Sequence, residues 1–251
     1  MSPRPPVALV SLGCAKNLVD SERIASRLEQ AGVRVTSGPE DAPVVIINTC
    51  GFIQSAKEES IEAILDVAGG KGGTVRTLIV TGCLAERYGK DLESEMPEVD
   101  AFVGIDPDGA AQIALRALGV SDAPVPSQVA LRSHRFTPGA WSYLRVADGC
   151  DNCCAYCAIP LIRGPLRSHP YAELLEEAKF LCGGGVRELN LIAQDTTAFG
   201  MDTDGRQRIH ELVRELRELE GLRRLRLLYM HPAHIYDELL DVMAEGEPVA
   251  P

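Results

Sequence analysis

The chain has 251 residues, 45% of them hydrophobic, enough apolar side chain to give one large domain or two ordinary ones a buried core, which excludes a disordered chain. Its 36 acidic and 25 basic residues leave a formal charge of −11; that excludes a surface gripping nucleic acid throughout and suits a soluble protein or one that meets a basic partner. No apolar run reaches the roughly 18 residues of a membrane helix, and the start lacks a charged stretch leading into a long apolar one, so a cytoplasmic location without membrane contact is expected.

In chain order, the first strand is expected at 7–12 (VALVSL), followed by a helix over DSERIASRLEQAG with Val19, Ile24 and Leu28 on one face. A second strand at 44–48 (VVIIN) leads into SAKEESIEAILDVAGG, where Ser55 and Glu58 have the spacing of a capping box and Gly69-Gly70 gives the stop. The third strand, TLIVTG at 77–82, precedes a helix over LAERYGKDLESEMPE, and AFVGI at 101–105 reads as a fourth strand. Short β-branched runs alternating with helices predict a doubly wound parallel sheet over 1–120.

Periodicity then fades and Pro and Ser accumulate, so 121–138 reads as a linker. From 139 to 251 a second α/β region is expected, with strands at 142–149, 186–195 and 222–230 and helices over 171–182, 207–219 and from near Ile235. Three β/α units close neither a barrel nor an ordinary open sheet. The expectation is therefore an incomplete (β/α) partial barrel, with an open sheet edge after 222–230 and a mobile region past Gly185.

Eight cysteines remain to be sorted. Cys14, Cys50 and Cys83 each stand just past an expected parallel strand and just before a helix, in SLGCAKN, INTCGFI and VTGCLAE. Ligands of open α/β sheets bind beyond the carboxyl ends of the strands, so three thiols can converge there. Three thiolates without a nearby histidine suit a [4Fe–4S] cluster with one open iron better than zinc. In GCDNCCAYC two parsings compete. Two adjoining C-x2-C pairs would leave little loop to wrap a tetrahedral zinc. Cys150, Cys154 and Cys157, spaced C-x3-C-x2-C, supply three thiolates from one tight loop and leave Cys153 a bystander. Cys182 is assigned to packing, and His231 and His234 to a polar loop. Arg163 and Arg167 either bind carboxylates of cofactor or substrate or line a solvated basic loop.

The C-x3-C-x2-C spacing after a strand, with Tyr156 before its last cysteine, resembles the signature of the radical S-adenosylmethionine enzymes. SLGCAKNLVDSE, NTCGFIQSAKEESIEAI, TGCLAERYGKDL and GCDNCCAYCAIPLIRGPLRS further resemble the methylthiotransferase family, over nearly the whole chain. ELNLIAQDTTAFG and RLLYMHP are similar to its ribosomal-protein branch, and Ala193-Gln194-Asp195 stands where the tRNA-modifying branch carries GQN. Members have a radical core about twice as large and a C-terminal TRAM domain, so the resemblance implies a chain truncated at its C-terminus.

The resemblance implies two [4Fe–4S] clusters and S-adenosylmethionine. One cluster, on Cys150, Cys154 and Cys157, would cleave the cofactor to a 5′-deoxyadenosyl radical, with Tyr156 and Gln194 near the cofactor. The auxiliary cluster, on Cys14, Cys50 and Cys83, would hold a sulfur that a first S-adenosylmethionine methylates. The radical from a second would take hydrogen from an aspartate β-carbon of small-subunit ribosomal protein 12, and the carbon radical would couple to that sulfur. Expected partners are that protein or the ribosome, a reductant such as flavodoxin and a sulfur donor; direct RNA binding is not expected without TRAM. The rival readings are a tRNA methylthiotransferase of the same chemistry and an iron–sulfur electron-transfer protein; carriers usually have four thiolates per cluster, which argues against the second.

Overall fold

A computed structural model describes residues 4–120 and 132–250, so much of the expected 121–138 linker lies outside the described residues. The chain divides into two units, Met1–His134 and Arg135–Pro251.

The first unit is a five-stranded, wholly parallel sheet in the order β2-β1-β3-β4-β5. Its strands are β1 (Val7–Ser11), β2 (Val35–Thr36), β3 (Val44–Thr49), β4 (Thr77–Gly82) and β5 (Ala101–Val103). All six residues of β3 are buried, as befits a central strand covered on both faces. Ile24, Ala25 and Leu28 of α1 (Ala15–Gln30) and Ala110, Ala111 and Ala114 of α4 (Pro107–Ala117) pack on one face against Val7, Leu9, Val44 and Ile46. Ile64 and Val67 of α2 (Gln54–Gly69), with Leu84 and Leu92 of α3 (Cys83–Glu95), cover the other face over Val45, Ile47, Leu78 and Val80. The sheet is therefore doubly wound, and its order reverses between β1 and β3, where such sheets place their ligand crevice.

Three sequence expectations shift here. The helix after β1 begins at Ala15, not near Asp20, because Leu18 N–H already bonds Cys14 O (3.0 Å). Ser55 is not a cap: α2 starts one residue earlier, Ile53 holds the N-cap position, and Gln54 Nε2 donates to Glu58 Oε1 (2.9 Å) instead. The helix α4 was not expected, although Asp106 caps it at Gly109 N–H (2.9 Å) and Pro107 opens it. After the undescribed stretch, Arg132 pairs with Glu22 with both side chains fully buried, and His134 N–H donates to Ser26 Oγ (3.0 Å). Residues 132–134 are thus fastened along α1.

The second unit holds a three-stranded parallel sheet, β10-β9-β6. It runs β6 (Trp141–Arg145), β7 (Ala147–Asp148), α5 (Ile159–Arg163), β8 (Arg167–Ser168), α6 (Tyr171–Gly183), β9 (Glu188–Ile192), α7 (Met201–Asp204), α8 (Ile209–Leu216), β10 (Arg224–Leu227) and α9 (Asp237–Ala244). β7 and β8 form a small antiparallel pair. The expected bare edge at β10 is partly covered: Leu225 N–H donates to Pro248 O (2.8 Å) and Leu225 O accepts from Ala250 N–H (2.9 Å). Val249 bridges Leu225 in parallel and is buried in the core. Nor is the region past Gly185 loosely packed, because Val186, Leu189, Leu191, Ile209 and Leu212 are all fully buried. No helix among the described residues is long and apolar enough to cross a membrane.

Candidate metal centres

The three cysteines of the first unit stand at one edge of its sheet. Ser11 is in register with Asn48, and Thr49 with Gly82, so β1, β3 and β4 end together. Cys14 is the N-cap of α1, Cys50 follows the last residue of β3, and Cys83 opens α3. The turn carrying Cys14 lies directly on Cys50. Gly13 has φ +90°, and a Cβ there would sit 2.7 Å from Cys50 Cβ and 3.2 Å from its Sγ; only glycine allows this approach. One buried amide reaches all three turns. Asn17 Nδ2 donates to Leu12 O (3.1 Å) and Thr49 O (2.8 Å), and the Cys83 thiol lies 3.5 Å from its Oδ1. Asn48 Nδ2 in turn donates to Asn17 O (2.8 Å). Cys14 is exposed while Cys50 and Cys83 are buried, and Phe52 and Ile53 beside Cys50 are exposed apolar side chains.

In the second unit the loop from Cys150 to Cys157 is clamped at its base. Cys150 N–H donates to Gly164 O (3.1 Å) and Leu166 N–H to Asp151 Oδ1 (2.9 Å). Gly149 has φ +69°, and a Cβ there would lie 1.9 Å from Pro165 O. A turn bonded from Cys157 N–H to Cys154 O (3.0 Å) closes the loop's far end. Cys150, Cys154 and Cys157 are half-buried, and Cys153 is exposed with its thiol 3.8 Å from Asp151 O. Burial pushes the Cys150 thiol up, opposed by the Asn152 backbone N–H 3.4 Å from its sulfur. Among the described residues no three His, Cys, Asp or Glu side chains close on a point that would hold a single metal ion. Thiolates of a cubane cluster stand farther apart than that, since each binds a different iron.

Arg163 is not a solvated loop residue. It is buried, and its guanidinium donates to Asp148 Oδ1 (3.0 Å). Burial alone would raise the Asp148 carboxyl, but Arg145, His169 and Arg163 around it hold it far below the usual carboxylate range. Arg167 is exposed on β8. Tyr156 is 89% exposed on the cysteine loop, and Gln194 is half-buried in the turn after β9. Cys182 packs in the core, where burial raises its thiol.

A cavity of about 330 Å³ opens beside Cys150, lined also by Asn152, Asp195, Met201, Gln207 and His234. Its described lining includes neither Tyr156 nor Gln194. Asp195 and His234 escaped the sequence reading, which left His234 as an ordinary loop residue. Asp195 is 2% exposed, and its Oδ2 lies 2.6 Å from His234 Nδ1 and 3.0 Å from Asn152 Nδ2. Burial works against the Asp195 carboxylate, yet its bonds to Thr197, His234 and Asn152 prevail and hold its pKa down. Their positions carried the signal: both follow parallel strands that are neighbours in the sheet, and such turns converge.

This architecture is the fold of the radical S-adenosylmethionine enzymes. The radical S-adenosylmethionine methyltransferase TsrM from Kitasatospora setae matches 96% of this chain and 59% of its own with a TM-score of 0.65 at 14% identity. The cobalamin-dependent enzyme OxsB matches 89% and 38%, with a TM-score of 0.54 at 9% identity. By sequence, residues 6–104 match the family described as "Uncharacterized protein family UPF0004". The ribosomal protein uS12 methylthiotransferase RimO of Syntrophus aciditrophicus is 46% identical over 97% of this chain and 56% of its own. That of Aquifex aeolicus is 44% identical over 98% and 54%, and that of Geobacter sulfurreducens 44% over 96% and 56%. By sequence the chain is thus similar to RimO-type methylthiotransferases, and it spans a little over half the length of these relatives.

Proposed function

We propose that this chain serves radical methylthiolation of an aspartate in ribosomal protein uS12, in the cytoplasm. The observation that carries the reading is 44–46% identity, across nearly the whole chain, to proteins of that name. In this reading Cys150, Cys154 and Cys157 hold one [4Fe–4S] cluster, and Cys14, Cys50 and Cys83 hold another. The donor sets suit such groups: three thiols per site, one carried on a clamped loop and one at a sheet edge beside a glycine that clears space for Cys50. When bound, the first cluster with S-adenosylmethionine supplies the radical, and the second the sulfur. Radical chemistry is needed because the aspartate β-C–H is too weakly acidic for a side-chain base.

The chain's own residues then position and shield. Cys150 faces the 330 Å³ cavity, the place for the cofactor; Tyr156 and Gln194 stand outside its lining and are assigned to the cofactor by the family resemblance alone. Met201 and Leu166 supply apolar wall there. A net charge of −11 favours a basic ribosomal protein over an RNA backbone as partner. A reductant and a sulfur donor complete the set.

Anaerobic reconstitution tests the assignment. The chain should take up roughly 8 irons as two cubanes. Cys154→Ala should lose about half of that iron, and Cys153→Ala little. Equal losses from these two variants would reject the parsing of the loop. Incubated with reductant, S-adenosylmethionine, sulfide as the sulfur source and separately uS12 or tRNA, the loaded chain should place a methylthio group on uS12 by mass spectrometry; modification of the tRNA instead would assign the other substrate.

A further inference from the structure

One hydrogen-bonded chain in the second unit ends on a sulfur. Asn152 N–H points at Cys150 Sγ (3.4 Å), and its side-chain Nδ2 donates to Asp195 Oδ2 (3.0 Å). His234 Nδ1 lies 2.6 Å from that same oxygen. The other Asp195 oxygen accepts from Thr197 N–H (3.1 Å) and from the Thr197 hydroxyl. Fixed on both oxygens and 2% exposed, Asp195 has little freedom to swing. Asp195 follows β9 and His234 follows β10, while Asn152 belongs to the cysteine loop after β6 and β7. The turns beyond all three strands of the sheet are thus tied through one carboxylate.

We infer that Asn152 is a positioning residue, held by Asp195 and His234 so that its backbone N–H bonds the Cys150 sulfur and raises the reduction potential of the cluster on that loop. The inference rests on the proposed ligation by Cys150, Cys154 and Cys157. The physical reason is simple. An electron entering from the reductant adds negative charge to the cluster and its sulfurs. An N–H dipole aimed at one of them stabilises the reduced form more than the oxidised one. With Cys150 and Asn152 both half-buried, that difference is only partly screened.

The test uses the full chain with both clusters loaded, titrated with dithionite under redox mediators and followed by electron paramagnetic resonance. Two reduction waves are expected, one per cluster. Asn152→Ala should move one wave to lower potential and alter its resonance, with iron content unchanged. His234→Ala should move the same wave the same way by less. His234→Asn, whose Nδ2 can stand where the histidine Nδ1 does, should restore it. This last variant separates geometry from charge, because a charge effect would make Asn behave as Ala. His134→Gln, in the first unit, serves as the control and should leave both waves in place. If Asn152→Ala keeps its iron and neither wave moves, the inference fails. Should Asn152→Ala not take up iron, the His234 pair decides, and equal potentials for Ala and Asn overturn the positioning role. If the wave that Asn152→Ala moves survives Cys154→Ala, the ligation itself is wrong, a failure distinct from the others.

Discussion

Gly149 carries the sharpest residue-scale constraint in the second unit. Its φ of +69° lies in the left-handed region, and a Cβ there would stand 1.9 Å from Pro165 O. An alanine meets both the left-handed penalty, about 1–2 kcal/mol, and a backbone clash that only movement of the 164–166 segment relieves. Gly149→Ala should therefore destabilise the second unit by about 2–3 kcal/mol in urea titration, and should loosen the Cys150 N–H bond to Gly164 O. Unchanged stability would mean that the clamp is not formed in solution. A second residue-scale prediction concerns acid. His210 is buried, with Nδ1 2.8 Å from the Tyr236 hydroxyl. Burial lowers its pKa, Arg214 and Arg206 add to the effect, and Glu211 and Glu238 oppose it. The folded state thus keeps the ring neutral where the unfolded chain, with a pKa near 6.5, protonates it. Its contribution to stability is complete above about pH 6.5 and is lost as pH falls toward the folded value. His210→Gln should flatten the decline of stability as pH falls below about 6.5. An unaltered slope would assign the decline to another group.

At the scale of elements, the strands that carry the cysteines were readable because each is a run of β-branched residues ending in a turn. VVIINT and TLIVTG are buried almost throughout as β3 and β4, which is the mark of a two-sided parallel sheet. The two-residue β2 was not readable, since Val35–Thr36 shows no alternation to detect. The convergence of Cys14, Cys50 and Cys83 on one edge follows from strand order, which the spacing of the cysteines alone does not contain. Asn17 illustrates the same limit. Nothing in AKNLV announces an amide that bonds two turns and touches a third, yet it is fully buried and does so. Asn17→Ala strands Leu12 O and Thr49 O, at about 1–3 kcal/mol for each buried group left unpaired. It should lower the first unit's stability and halve the iron taken up, while Asn17→Asp, which keeps the size but cannot donate, should do nearly as badly. Full iron uptake in both would remove Asn17 from the site's support. The edge of β10 shows where element-scale reading failed. It expected bare backbone, because Pro248-Val249-Ala250 is too short to register as a strand, yet this segment bonds both the N–H and the C=O of Leu225.

On the scale of the whole molecule, the sequence suggested a loose region beyond Gly185, because three β/α units close no barrel. The second unit's core is nevertheless continuous. Leu144, Val186, Leu189, Leu191, Ile209, Leu212, Leu225 and Leu239 are all fully buried within it, joined by Val249. Chain closure is not a condition for burying a sheet face; helices packed across β6, β9 and β10 suffice for that face. The first unit has its own two clusters, one on each side of its sheet, around Ile46 and Ile47. Separate cores make stability a property of each unit, and amide hydrogen exchange can read them individually. Leu191→Ala removes a fully buried side chain from the second core and should cost about 2–5 kcal/mol there. Exchange should accelerate at the amides of β6, β9 and β10, with those of β1, β3 and β4 unchanged. Ile46→Ala should give the reverse pattern. Because the two sites share no core partner, the double variant should show both local losses added together, within about 0.5 kcal/mol. Acceleration in β3 equal to that in β9 on Leu191→Ala would mean that the two units unfold as one, and that the division read from their cores does not govern the protein's stability.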